Sequence, residues 1–378
     1  MSRAMHQSQI YSRGGTNWAW TGESGCVAQV PEWAAPGRGP PPRLGRERRG
    51  GGSPRPGPDR HTNGRFVAVR HGTTASRRRA VEARRSSRPR ISASAPCVRT
   101  EPMLLVHLAL SLVALYVAVV TAMYLAQTGL LFPTELVEAA RVQLPASAQR
   151  VEVRTPEAEV LVGVRIQATG KEAERAPTLL GFGGNAWHAE AMALYLHGLF
   201  PNREVVAFHY RGYAPSGGRP GAEALLSDSV LIFDHLRQSD ARERVVAIGF
   251  SIGSGVAAYL ARRRPAAGLI LVTPFDSLEA LARDLYWWAP IGLLLRHRMP
   301  TMDFVRGSPV PTALVVAERD TIVPARRSMA LRPAIANLVF EGAIDAGHND
   351  LYGHPAFAAA MREALARVEA VSGQAFGR

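Results

Sequence analysis

Gly249-Phe250-Ser251-Ile252-Gly253 carries the clearest chemical signal in the chain. A serine between two glycines, closing an apolar run (Arg244–Phe250) and opening a stretch of small residues from Gly253, fits a sharp strand-to-helix turn. Such a turn pushes the hydroxyl away from the backbone, and side chains at the two flanking positions would collide with neighbouring chain. The chemistry it suits is nucleophilic attack by Ser251. Ser254, one turn further on, is the rival hydroxyl and reads as structural.

A serine nucleophile needs a base, and the base needs a carboxylate to orient it. In the usual chain order for this motif, acid and then histidine follow the serine. Glu318-Arg319-Asp320 comes directly after the apolar run Thr312–Ala317, and Asp345-Ala346-Gly347-His348 follows the last β-rich run. Both loops fall where a parallel sheet presents its ligand-binding edge. Asp320 is the expected acid and His348 the expected base, with Glu318 and Asp276 as alternative acids and His354 as an alternative base. The anion of a tetrahedral intermediate needs backbone donors. Gly181-Phe182-Gly183-Gly184-Asn185-Ala186 ends another apolar run with two glycines, so the expected donors are the N–H groups of Asn185 and Ile252. Both cysteines, Cys26 and Cys97, precede residue 103, which excludes a disulfide framework and a Cys-based metal site beyond it. No cofactor is expected.

Eight β-rich runs are available to position these residues: Arg150–Arg154, Val160–Ile166, Thr178–Phe182, Val205–Tyr210, Val245–Phe250, Leu269–Thr273, Thr312–Ala317 and Asn337–Phe340. Helical patterns lie between many of them, including Ala222–Arg237, Gly253–Arg264 and Pro355–Val371. The first two runs read as an antiparallel pair. From the third onward, continuous apolar strands separated by helices predict a mostly parallel sheet covered on both faces, hence one α/β domain over 145–378. The excursion 277–308 exceeds a simple crossover and reads as a small cap. Its Trp287, Trp288 and Leu294 are candidate substrate-binding residues, an apolar wall for an acyl chain.

Charge divides the chain. Of its formal +14, residues 1–102 contribute +13, and they contain arginine but no lysine. This Arg/Gly/Pro-rich segment has no sustained periodicity and reads as a disordered tail. Its 44 Arg to one Lys across the whole chain suit GC-rich coding, and the reading favoured here is a start called too early, with translation beginning at Met103. A basic nucleic-acid-binding arm is the competing reading; no nucleic acid is expected as partner. From Met103 to Thr134 no Asp, Glu, Lys or Arg occurs, and 103–126 is almost continuously apolar. At 1.5 Å per residue those positions span about 36 Å, enough for the roughly 30 Å hydrocarbon core. They are expected to form a transmembrane anchor, with a linker over 127–144. The location implied is a single pass in a bacterial inner membrane.

In order, GFGGNA (181–186), HYRGYAPSGGRPG (209–221), GFSIGSGVAA (249–258), ERDTIVP (318–324) and GHNDLY (347–352) resemble the α/β-hydrolase superfamily. More narrowly, the chain is similar to membrane-anchored α/β-hydrolase-domain proteins that include lysophospholipid lipases and protein depalmitoylases. The resemblance implies Ser251, Asp320 and His348 as a triad and the doubly covered sheet as its scaffold. One departure is Gly183-Gly184-Asn185-Ala186, where those proteins usually have His-Gly-Asn-Ala. The expected function is a serine hydrolase of small-molecule acyl esters or thioesters, working at the membrane lipid bilayer. The alternatives are a serine peptidase of the same fold and a non-catalytic membrane-tethered binding module.

Overall fold

The computed structural model describes residues 102–137, 142–169, 176–239 and 244–376. The basic tail over 1–102 therefore lies outside the described residues, apart from Pro102. From Ser111 onward the described residues pack as one unit.

Its centre is an eight-stranded sheet: β1 (Ala148–Arg154), β2 (Val160–Ile166), β3 (Thr178–Phe182), β4 (Val205–Phe208), β5 (Val245–Phe250), β6 (Gly268–Val272), β7 (Thr312–Ala317) and β8 (Leu338–Ile344). The strand order is β1-β2-β4-β3-β5-β6-β7-β8. β1 pairs antiparallel with β2 and β2 antiparallel with β4, while every later pairing is parallel.

Two apolar layers explain why the strands read as unbroken apolar runs. In β5, Val245 and Ala247 face one cluster while Val246, Ile248 and Phe250 face the other. Helices α3 (Ala222–Ser239) and α4 (Ile252–Arg263) cover the first face through Leu225, Phe233, Val256 and Leu260. Helices α2 (Ala189–Leu199) and α9 (Pro355–Phe376) cover the second through Met192, Leu196, Phe357 and Met361. A strand buried on both faces has no polar side to alternate with.

Where the structure departs from expectation, exposure accounts for it. β8 runs to Ile344 rather than Phe340, because it pairs only with β7 and can expose Glu341. Helix α2, not singled out above, spaces Met192, Ala193, Leu196 and Leu199 along one buried stripe.

The first helix, α1 (Pro102–Leu131), is apolar around its whole circumference. It continues five residues beyond the expected 126, so the linker starts at Phe132 rather than at 127. The polar Gln127 and Thr128 looked like linker, yet they sit on the helix and bond to the cap: Gln127 to Leu294 and Arg296, Thr128 to His297. That cap consists of α5 (Leu278–Leu285), α6 (Ile291–Leu294) and α7 (Thr301–Val305), between β6 and β7. A short α8 (Ala325–Met329) follows β7.

Candidate active site

Ser251 ends β5 and starts α4 with φ 52° and ψ −117°, a left-handed conformation that costs a non-glycine residue on the order of 1–3 kcal/mol. The surroundings hold it there. Its N–H donates to the Val272 carbonyl (2.9 Å) on the neighbouring strand. A Cβ at Gly249 would strike the Gly253 carbonyl, and one at Gly253 would strike the carbonyl oxygens of Phe182 and Gly183. Both glycines are thus required by close backbone approach. Ser254 is fully buried and its hydroxyl donates back to the Ser251 carbonyl, which leaves it a structural role in α4.

The loops after β7 and β8 are stitched together. Glu318 N–H donates to Ile344 O (2.9 Å), and Arg319 N–H to Ala346 O (3.0 Å). Across that seam His348 Nδ1 lies 2.6 Å from Asp320 Oδ2. The other carboxylate oxygen of Asp320 accepts from the N–H groups of Ile322 (2.8 Å) and Val323 (2.7 Å). Both side chains are buried, the carboxylate almost completely. Binding the proton on Nδ1 leaves Nε2 with its lone pair free, the tautomer that accepts a proton from a hydroxyl.

The alternatives lie outside this pair. Glu318 is exposed; Asp276 pairs with Arg327 (3.0 Å). His354 Nδ1 accepts from Ala356 N–H at the start of α9 (3.2 Å). The half-buried Arg327 guanidinium bridges Asp276 and Asp284 in an ion-pair cluster, and hydrogen bonds, above all from Arg327, hold Asp284 down to about 2.

The turn after β3 crosses the serine. A Cβ on Gly184 would lie 3.9 Å from that of Ser251, which puts Asn185 next to the elbow. Two tyrosines hold this turn: Tyr210 OH donates to Gly183 O and Tyr213 OH to Asn185 O, both at 2.7 Å. Burial pushes both phenols above their ordinary range, so they remain donors. Sequence reading missed them; the His209-Tyr210-Arg211-Gly212-Tyr213 run was their only trace. On the other side, Trp187 packs edge-on against Phe250 (5.1 Å between ring centroids) and beside Tyr352 (5.0 Å). Among the described residues no group of His, Cys, Asp and Glu could hold a metal ion.

The candidate wall lies with α1. Trp288 meets Tyr116 edge-to-face (6.2 Å), the Leu294 carbonyl accepts from Gln127 (3.2 Å), and Trp287 is 83% exposed.

A family model described as serine aminopeptidase, S33, matches residues 173–308, from before β3 through the elbow to the cap. The sheet order, with one antiparallel strand inside it, a nucleophile-type elbow after β5, and acid and histidine loops after β7 and β8, agree with that match. The chain has the α/β-hydrolase fold. The chain is 36% identical over 184 residues to an uncharacterized protein of Mycobacterium tuberculosis, covering 46% of this chain and 63% of that one. It is 28% identical over 182 residues to lysophosphatidylserine lipase ABHD12 of Gallus gallus, covering 42% of this chain and 46% of the lipase. The chain thus spans less than two thirds of the length of these relatives. An esterase structure from Pyrococcus furiosus aligns over 61% of this chain and 97% of its own, at 18% identity and a TM-score of 0.48.

Proposed function

We propose that this α/β-hydrolase is a membrane-anchored serine hydrolase that cleaves carboxylic esters or thioesters of acyl, lipid-like substrates through a covalent acyl-enzyme. The observation that carries the reading is the buried His348–Asp320 pair, set on the same sheet edge as the strained Ser251 elbow. In the first half-reaction Ser251 Oγ attacks the acyl carbonyl while His348 Nε2 takes its proton. Asp320 holds the imidazole in the tautomer this requires and stabilises the imidazolium formed. The negative charge moves to the carbonyl oxygen, where the N–H groups of Asn185 and Ile252 receive it. Collapse breaks the bond to the alcohol or thiol, which leaves with the proton from His348. Water then repeats the sequence on the acyl-serine and releases the carboxylic acid. No cofactor enters this chemistry.

Support for a lipid-like substrate comes from the similarity to proteins named as lysophosphatidylserine lipases and from α1, whose length and composition suit a single membrane span. A second reading, cleavage of peptide bonds, has the description of the matched family model behind it. The test is labelling of the full chain by a fluorophosphonate probe, with hydrolysis of p-nitrophenyl esters and aminoacyl arylamides compared side by side. Wild type should be labelled and favour the esters. Ser251→Ala should lose labelling and lower ester turnover by at least about 10³-fold. An unlabelled wild type, or near-normal turnover in the variant, rejects the assignment; faster arylamide turnover favours the peptidase.

A further inference from the structure

We infer that the cap makes a second, non-spanning contact with the bilayer: the segment from Leu285 to Leu293 is immersed beside α1, at a depth set by a polar clamp between cap and helix. This rests on the reading of α1 as the membrane span.

The clamp comes first. Gln127 uses both ends of its amide, donating to the Leu294 carbonyl (3.2 Å) and accepting from the Arg296 N–H (2.8 Å). One residue on, Thr128 Oγ1 is 2.8 Å from His297 Nε2, and that imidazole stands edge-on to Phe132 (5.1 Å). Arg296 lies over the Tyr124 ring (4.9 Å) and donates to the Tyr124 carbonyl (3.2 Å). Several bonds from successive turns of one helix to Leu294, Arg296 and His297 leave no freedom to slide along the helix axis.

The second contact sets the depth. Tyr116 OH donates to the Trp288 carbonyl (3.2 Å), and the two rings pack edge-to-face. Tyr116 precedes Gln127 by eleven residues, so at 1.5 Å per residue the cap follows the helix for about 16 Å. A hydrocarbon core of about 30 Å takes roughly 20 helical residues. Glu101 bars the span from starting before Met103, so the core extends at least to about residue 122. At that limit Gln127 stands outside the core, and Tyr116 lies about 9 Å within and carries Trp288 along. Any shift of the span toward the domain sinks the cap further. An immersion of this size matches the roughly 5–10 Å of interfacial segments.

The chemistry of the segment agrees. Trp287 is 83% and Leu293 88% exposed, with Leu285 and Tyr286 also open, a concentration of large apolar side chains that water disfavours. Aromatic residues of this type suit the membrane interface, and Arg296 sits at the rim where headgroup phosphates lie. In hydrocarbon an unpaired carbonyl is strongly disfavoured. The Trp288 carbonyl is the one that Tyr116 satisfies. Continuity with the apolar surface of α1 selects lipid as the occupant over a second copy of the chain.

The experiment uses the full chain with Cys26→Ser and Cys97→Ser and one introduced cysteine, labelled with an environment-sensitive fluorophore. It is reconstituted in phosphatidylcholine–phosphatidylglycerol vesicles whose lipids carry a nitroxide near the headgroup or near the chain end. Leu293→Cys and Leu285→Cys read the cap, Ala118→Cys reads the span, and Ser227→Cys on exposed α3 reads the aqueous surface. We expect about two-fold quenching at 293 and 285 by the shallow nitroxide, quenching at 118 by the deep one, and none at 227. Quenching at 118 with cap positions behaving like 227 overturns the immersed cap and leaves the span intact. Absence of quenching at 118 removes the span and the inference with it. Cap positions shielded from both lipid nitroxides and aqueous iodide show protein covering the segment, which also overturns it.

Discussion

His348 Nδ1 lies 2.6 Å from one oxygen of Asp320, whose other oxygen is fastened to the backbone by the amides of Ile322 and Val323. The imidazole is thus oriented by a carboxylate that cannot itself turn. Asp320→Asn keeps the shape but can present an NH2 to Nδ1, favouring the wrong tautomer. We expect kcat for an activated ester to fall on the order of 10³–10⁴-fold, with little change in KM or melting temperature. Steady-state kinetics with circular dichroism melting checks this, and a kcat within tenfold of wild type refutes the role given to the pair.

Tyr213 donates to the carbonyl of Asn185, the residue proposed to supply an oxyanion donor. Tyr213→Phe should leave that carbonyl unsatisfied and loosen the turn, a loss of about 1–2 kcal/mol. In kinetics this means roughly a tenfold lower kcat, with KM moving less. An equal rise in KM at constant kcat would show that the tyrosine serves binding alone.

His209 is buried beside His188, the two rings 4.5 Å apart, and burial above all, then the charges of His188 and Arg150, lower its pKa from 6.5 to about 4. The unfolded chain therefore binds this proton near pH 6.5 while the folded one resists it down to about 4. Its contribution is fully present above pH 6.5 and is lost as the pH falls toward 4, about 3 kcal/mol in all. Thermal melting between these limits should show wild type losing stability more steeply than His209→Gln. Parallel profiles would mean that the fold binds this proton as readily as the unfolded chain does.

Gly253 admits no side chain, because the carbonyls of Phe182 and Gly183 occupy the place of its Cβ. Gly253→Ala should cost about 3 kcal/mol as the elbow is forced away from β3. Denaturant unfolding measures it, and a change below about 0.5 kcal/mol would show that the two segments are not in close contact.

Most of the scaffold was legible in the chain. The strands of the central sheet announced themselves because runs such as Val245–Phe250 and Thr312–Ala317 are buried on both faces. The elbow was legible because only glycine fits at positions 249 and 253. Helix α2 and the far half of β8 were harder, being amphipathic or edge elements whose exposed residues dilute the apolar signal.

The sequence by itself determined the α/β architecture, the position of Ser251 and the two loops from which acid and base would come, since each follows from local patterning. Tertiary structure decided among residues of the same chemistry. Glu318, Asp320 and Asp276 are interchangeable as letters, but one is exposed, one is bound to His348 and one is bound to Arg327. It likewise decided that Tyr213 supports Asn185, 28 residues away, and that Gln127 and Thr128 clamp the cap 167 and 169 residues further on. A hydrogen bond depends on distance and direction between two groups in space, and over such separations only the packing of the whole sheet and its helices supplies them.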